Sequence, residues 1–244
     1  NKFNLNNDSF VIEVASNDGY LLKNFVEADI PCLGIEPTDR TADFAEKIGI
    51  TVLRKFFGKA LGRKLAAEGK KADLVIGNNV YAHVPDQQDF TRGMAVLADD
   101  STIITIENPS FDILLNRSLF DTIYHEHYSY LTAHSVDAVA KKCGLNLFHV
   151  ERLPTHGGSN RYYLSRSKQP NATVAVVLAD EKKSGLFSEE KWGEFSAASK
   201  QAIDGLQQWF ADQKVAGNTV VGYGAAHKGN TFLNYMGLNS KIIS

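Results

Sequence analysis

Only two cysteines and two methionines occur among 244 residues, and the cysteines stand far apart. That spacing excludes a disulfide framework and every metal motif built on paired cysteines. Cys32 and Cys143 lie in largely apolar stretches and are expected as buried thiols of a protein in a reducing cytoplasm. No basic cluster stands out. With 26 Lys and Arg against 28 Asp and Glu the net charge is −2, which argues against a nucleic-acid or anionic-membrane partner. No apolar run has the length of a membrane span, and no signal peptide is recognisable. What is there is an ordinary globular composition, 43% hydrophobic and 22% charged, over a length that suits one large α/β domain or one domain plus part of another. Residue 1 is Asn rather than Met, and residues 239–244 read as the start of a strand, so the chain is expected to be part of a longer polypeptide.

Apolar runs alternate with helical patterns through the first hundred residues. Strands are expected at 10–14, 32–36, 50–53, 73–77 and 101–106. Helices are expected at 20–26, 39–48, 59–68 and 85–97, with Pro85 suited to a first turn. Such alternation implies an α/β fold, a doubly wound, mostly parallel sheet covered on both faces. The pattern then changes. A helix at 136–142, stopped by Gly144, precedes two strands at 145–150 and 160–165. The turn between them is too short for a parallel crossover, so they are expected to be antiparallel. Residues 168–177 read as a linker, and 189–214 as a helix burying Trp192, Phe195, Ala198, Ile203, Leu206 and Phe210. The run TVVGYG at 219–224 suggests a further strand and turn, with a helix from about Thr231. The expected division is a first domain at 1–167, then a linker helix and the beginning of a second, Rossmann-like domain at 168–244.

Ligands of open α/β sheets sit at the carboxyl ends of strands, beside the first glycine-containing turn. Here that turn is EVASNDG at 13–19. A dinucleotide site would carry G-x-G-x-x-G so that backbone can approach a pyrophosphate, and this loop does not. It carries Asp18, with Glu13 close by. Such carboxylates repel a diphosphate and suit a ligand bearing sulfonium and ammonium groups, as S-adenosylmethionine does. Glu36 ends the second strand, where an acidic residue accepts both ribose hydroxyls. An acidic turn without any ligand is the plain alternative. Further on, FDTIYHEHY at 120–128 gathers two imidazoles, two carboxylates and two phenols. Proton transfer near neutral pH favours His, helped by an orienting carboxylate and by phenols that donate to a developing oxyanion. The run by itself reads equally as a polar loop with surface histidines. Downstream, GYGAAHKGN at 222–230 offers backbone amides and Lys228, which suit a diphosphate. Its alternative is a tight turn with no ligand.

EVASNDG (13–19), NNVYAHV (78–84), FDTIYHEH (120–127), HGGS (156–159) and GYGAAHKGN (222–230), in this order, resemble the class I S-adenosylmethionine-dependent methyltransferases. More narrowly, the chain is similar to the sugar C-methyltransferases that act on nucleotide-linked deoxysugars, and the match spans nearly all of it. The resemblance implies a Rossmann-like, seven-stranded sheet with an antiparallel strand near its end, and S-adenosyl-L-methionine as cofactor. It implies methylation of a carbon next to the ketone of a nucleoside-diphosphate keto-deoxysugar, by way of an enolate. His127 is then the base, Glu126 orients an imidazole, and Tyr124 and His83 touch the sugar or its oxyanion. Cofactor contacts fall to Glu13, Ala15, Ser16, Asn17, Asp18, Gly19, Glu36, Phe57 and Asn78. Substrate contacts fall to His156, Gly157, Gly224, Lys228 and Asn230. The family's zinc belongs to an N-terminal cysteine-rich domain whose cysteines do not occur here, so no metal site is expected in this chain. Ala15 stands where such loops commonly have glycine, and the limits of alanine predict ordinary backbone angles there. His83 as a helix cap, Phe57 as core filler and His125 facing solvent are the duller placements. The competing functions are a methyltransferase of the same fold acting on oxygen or nitrogen, and a nucleotide-binding module without catalysis. A nicotinamide oxidoreductase fits less well, given Asp18 and the absent glycine pattern.

Overall fold

The structure is a computed structural model that describes residues 2–224, 227–238 and 243. Ala225 and Ala226 of the second glycine-rich turn, and all but residue 243 of the strand expected at 239–244, lie outside the described residues. Seven strands form one sheet: Val11–Val14 (β1), Cys32–Ile35 (β2), Thr51–Leu53 (β3), Leu74–Asn78 (β4), Ile103–Pro109 (β5), Asn146–Leu153 (β6) and Ser159–Ser165 (β7). Their order is β3-β2-β1-β4-β5-β7-β6. All are parallel except β7, which pairs antiparallel with both β5 and β6. The central strands are buried on both faces, which is why they read in sequence as continuous apolar runs rather than as alternating ones.

Alternation along β1 divides the core between the two faces. Ile12 and Val14 pack with Leu65, Met94 and Val136 from Lys59–Ala67 (α3), Gln87–Leu97 (α4) and Ala133–Lys142 (α6). Val11 packs on the other face with Leu22, Ala45 and Ile76, beneath Lys23–Val26 (α1) and Asp39–Lys47 (α2). α3 and α4 cross so closely that a Cβ on Gly62 would lie 2.5 Å from the Gly93 carbonyl oxygen, which fixes glycine at that contact. The connections from β1 and β4 leave in opposite directions, so a crevice opens beyond the carboxyl ends of these two strands. Both the 15–19 turn and the 79–83 segment lie there.

Several expectations need correction. Residues 168–177 are not a linker. Ala172–Lys183 (α7) is a helix, and its Val174 and Val177 are buried against β6 in the main core. Its Glu181 is fully buried and accepts hydrogen bonds from the backbone N–H groups of Ala133 at 2.5 Å and His134 at 3.1 Å, with the His134 Nδ1 at 2.6 Å. These bonds satisfy the open amides at the start of α6, alongside the Thr132 hydroxyl that accepts from Ser135 N–H. The long helix Glu189–Val215 (α8) does form, but of the expected stripe only Ile203 is buried. Trp192 is half exposed with its ring against Phe111 of Phe111–Arg117 (α5), because α8 touches the rest of the protein along little of its length. Residues 219–224 form no strand. Val221 is exposed, and no described strand lies beside it to complete its hydrogen bonds. Cys32 and Cys143 are half-buried rather than buried. The last helix, His227–Tyr235 (α9), begins earlier than expected.

Candidate active site

The chain leaves β1 through a strained turn. Ala15 adopts φ 57° and Asn17 φ 52°, both left-handed. Ordinary angles were expected at Ala15 and are not found. A double anchor explains the difference, since Ala15 N–H and Ser16 N–H both donate to the Ile35 carbonyl, at 2.8 and 3.3 Å, and this bends the chain off the end of the strand. Such a conformation costs a non-glycine residue roughly 1–2 kcal/mol. Glu36 locks the same turn. Its carboxylate accepts from Asn17 N–H at 3.1 Å and Thr38 N–H at 2.9 Å, and each oxygen keeps a lone pair for a further donor. Gly34 on β2 passes beneath the turn, where a Cβ would meet the Ser16 hydroxyl at 2.4 Å. Asp18 is exposed and accepts from Tyr20 N–H, while Gly19 donates its N–H to the Ser16 carbonyl.

Three buried side-chain atoms in this part of the fold have no hydrogen-bond partner among the described residues: Glu13 Oε2, Ser16 Oγ and Asn78 Oδ1. Buried polar atoms are nearly always paired, so a group carrying donors fits here. Burial pushes the Glu13 carboxyl up to about 8, and an ammonium or sulfonium nearby would restore its charge. These residues therefore fit S-adenosylmethionine. Asn78 ends β4 and, with Thr105 and Arg161, lines a cavity of about 430 Å³. Phe57 is half-buried with its ring edge-on to Phe90 at 5.3 Å, so core packing accounts for part of it. Its neighbour Phe56 is exposed.

The histidines converge. The short 3₁₀ turn Tyr81–His83 follows β4, and Tyr128 N–H donates to the Ala82 carbonyl, drawing the 124–130 loop onto it. The His83 and His127 rings meet edge-on at 4.8 Å. A cap for α4 is not the task of His83, because Asp86 fills that position and accepts from Asp89 N–H. His127 Nδ1 lies 3.0 Å from the Thr122 carbonyl oxygen and Nε2 lies 2.9 Å from the Tyr124 hydroxyl. A carbonyl only accepts, so in the neutral ring Nδ1 carries the hydrogen and Nε2 presents the lone pair. Burial lowers the His127 pKa, as do the charges of His83 and Lys228; the Thr122 bond and the Glu126 charge oppose them. The Tyr124 phenol is raised by burial and by Glu126 and Asp121, which keeps it a donor. The Thr122 carbonyl thus holds Nδ1 of His127, and the Glu126 charge also acts on that imidazole. A backbone carbonyl leaves no mark in a sequence, so nothing pointed to Thr122.

The remaining expected substrate residues scatter. His156 is exposed in the 3₁₀ turn Thr155–Gly157 at φ 54°, and the Gly157 carbonyl accepts from Arg117. No described hydrogen bond or ring contact joins either to the His127 ring. Thr155 in that turn donates to Glu107, which also takes a two-pronged bond from Arg161 at 3.0 and 2.6 Å. Gly224 is exposed, and Asn230 takes hydrogen bonds from Asn234 one turn on in α9. Lys228, in the first turn of α9, is half-buried and stands near enough to act on His127. Among the described residues no three His, Cys, Asp or Glu side chains group to hold a metal, and no helix is long and apolar enough to cross a membrane.

A seven-stranded sheet in this order, with one antiparallel strand and a ligand-binding turn after β1, is the fold of S-adenosylmethionine-dependent methyltransferases. The chain belongs to the methyltransferase-domain family: residues 2–150 match the family described as "Methyltransferase domain", and residues 154–244 match "C-methyltransferase C-terminal domain". The methyl donor of this family is S-adenosylmethionine. Among curated relatives, the C-methyltransferase NovU of Streptomyces niveus is 29% identical over 99% of this chain. The chain spans 58% of that relative's length. Among solved structures, a possible histamine N-methyltransferase from Thermotoga maritima superposes with a TM-score of 0.52 at 14% identity, over 65% of this chain and 82% of that one. The magnesium protoporphyrin IX methyltransferase of Synechocystis PCC 6803, with bound SAH, gives 0.51 at 15% identity, over 65% and 74%. Both likenesses concern the fold.

Proposed function

We propose that the protein is a C-methyltransferase that methylates a carbon next to the ketone of a nucleoside-diphosphate keto-deoxysugar. The observation that carries this reading is the His127 imidazole, its Nδ1–H tied to a carbonyl and its Nε2 lone pair directed at a phenol, in reach of the Lys228 charge. Carbon is a poor nucleophile until a proton leaves it, and a neighbouring ketone makes that proton acidic. Nε2 takes the proton, and the electron pair spreads onto the ketone oxygen as an enolate. In the free protein Tyr124 donates to Nε2. A substrate that displaces this phenol frees it to donate to the new oxyanion, with His83 alongside. Bound S-adenosylmethionine would supply an electrophilic methyl to the enolate carbon, the electrons of its broken sulfur–methyl bond staying on sulfur so that S-adenosylhomocysteine is left. Glu13, Ser16, Asn78 and Glu36 would hold the donor, whose cationic groups would restore the Glu13 charge.

Lys228 is assigned to the diphosphate end of the substrate. That remote contact positions the sugar over Nε2. Likeness to the C-methyltransferase NovU and to the C-methyltransferase C-terminal domain supports methylation at carbon rather than at oxygen or nitrogen. The test is product analysis with the full-length protein: a new carbon–methyl bond, and solvent deuterium entering the same carbon when S-adenosylhomocysteine replaces the donor. A methyl on oxygen or nitrogen would overturn the proposal. Lys228→Ala is expected to raise the KM for the nucleotide-sugar by about 10–100-fold, the worth of a charged hydrogen bond. An unchanged KM would remove Lys228 from the diphosphate.

A further inference from the structure

The turn that holds His127 is gripped from two sides. On one side, the Thr122 carbonyl accepts from the imidazole. On the other, two residues earlier in the 3₁₀ turn Phe120–Thr122, the Phe120 ring stacks on Phe232 of α9, with centroids 5.4 Å apart and planes 20° apart. Tyr235 tilts onto the same ring at 6.1 Å. Phe232 lies four residues after Lys228 and so shares its side of α9. A three-residue turn is too short to absorb a displacement of one side without passing it to the other.

We propose that Phe120, Phe232 and Tyr235 are positioning residues: their ring cluster seats α9 against the base-bearing turn, so that whatever the Lys228 end of α9 grips also fixes where the His127 imidazole stands. This rests on reading His127 as the base and Lys228 as the diphosphate contact. None of the three rings touches the reacting atoms. Their effect passes through the Thr122 carbonyl to Nδ1 and through the placement of Lys228. Besides the Thr122 carbonyl, the titratable groups among the described residues that face the imidazole are His83 from the 81–83 turn, Tyr124, Glu126 and Tyr130 from its own loop, and Lys228 from α9. Lys228 is carried on the helix that the ring cluster seats, which makes the seat of α9 measurable at His127.

The experiment follows the His127 imidazole by NMR through a pH titration of the full-length protein without ligand. Lys228→Ala is expected to raise the titration midpoint, because a neighbouring cation is lost. Phe232→Ala is expected to raise it as well, because Lys228 is no longer held close. The double variant should move it no further than the larger of the two single changes. Phe232→Tyr, which keeps the ring, should titrate as the parent does. In turnover, Phe232→Ala should lower kcat about tenfold, in keeping with a base slightly out of line, and Phe232→Tyr should restore it. A folded Phe232→Ala protein that titrates like the parent overturns the proposal, and so does a double variant whose shift is the sum of two independent ones. Should Phe232→Ala fail to fold, Phe120→Leu cuts the same contact from the other side and must give the same upward move. Absence of a C-methylated product from the parent would refute the function proposed above, whereas the titrations still decide whether the rings seat the base.

Discussion

Replacing His127 with asparagine is expected to slow methyl transfer by about 10²–10⁴-fold, the usual contribution of a positioned base, and to abolish solvent deuterium exchange at the substrate carbon. Asparagine can still donate an N–H to the Thr122 carbonyl, so the turn should keep its shape. What disappears is the lone pair now facing Tyr124. Binding of S-adenosylmethionine, which the 13–36 region is expected to hold, should change little. The parent enzyme should also have an acid limb in its pH–rate profile with a midpoint below the ordinary imidazole value of about 6.5, because burial and the charges of His83 and Lys228 disfavour protonation of His127. Activity is then present above that midpoint and lost as pH falls through it. Retention of deuterium exchange in His127→Asn would transfer the role of base to another group, with His83, whose ring lies 4.8 Å away, the first candidate.

Glu13→Gln is expected to show up first in stability. Burial raises the Glu13 carboxyl from 4.5 to about 8 in the folded chain, so between those values the folded state holds a proton that the unfolded state has lost. Stability linked to this group is therefore fully present below about 4.5 and declines as pH rises toward 8, by at most roughly 1.4 kcal/mol per pH unit. Over that window the loss is on the order of a few kcal/mol. Glutamine has the same outline and no charge to desolvate. Thermal melts of parent and variant should coincide below about pH 4.5 and separate progressively as pH rises toward 8, with the variant the more stable. The same variant should bind S-adenosylmethionine at least tenfold more weakly, because the buried carboxylate loses its charge-assisted bond to the donor's cationic groups. Binding by the parent near pH 7 should release a proton, readable by calorimetry in two buffers of different ionisation enthalpy. Parallel melting curves for the two proteins would show that Glu13 is not held protonated.

The sheet was legible because its central strands are buried on both faces and so appear as unbroken apolar runs, each closed by a turn. The antiparallel pair followed from one short connection. α7 was missed for a physical reason: ATVAVVLA at 172–179 is apolar nearly throughout, so it shows no helical stripe, and its β-branched residues suggest neither a helix nor a surface. Val220 and Val221 look like a strand because local pattern carries no information about whether a neighbour exists to pair with. At the site, His83 and His127 are far apart in sequence, and only the fold places their rings 4.8 Å apart. Side-chain chemistry pointed to the residues at that edge of the sheet. It did not reveal the work of the backbone: Thr122 ordering an imidazole, or Ile35 taking two amides and forcing Ala15 into the left-handed region.

Glu181 bears on where this polypeptide can be divided. Its carboxylate sits in the interior, yet it belongs to a helix that follows the last strand of the sheet and completes the amides at the front of α6. A cut placed just after β7 would leave those amides bare and unroof Val174 and Val177's side of the core. The smallest piece able to keep the sheet intact therefore extends past residue 181.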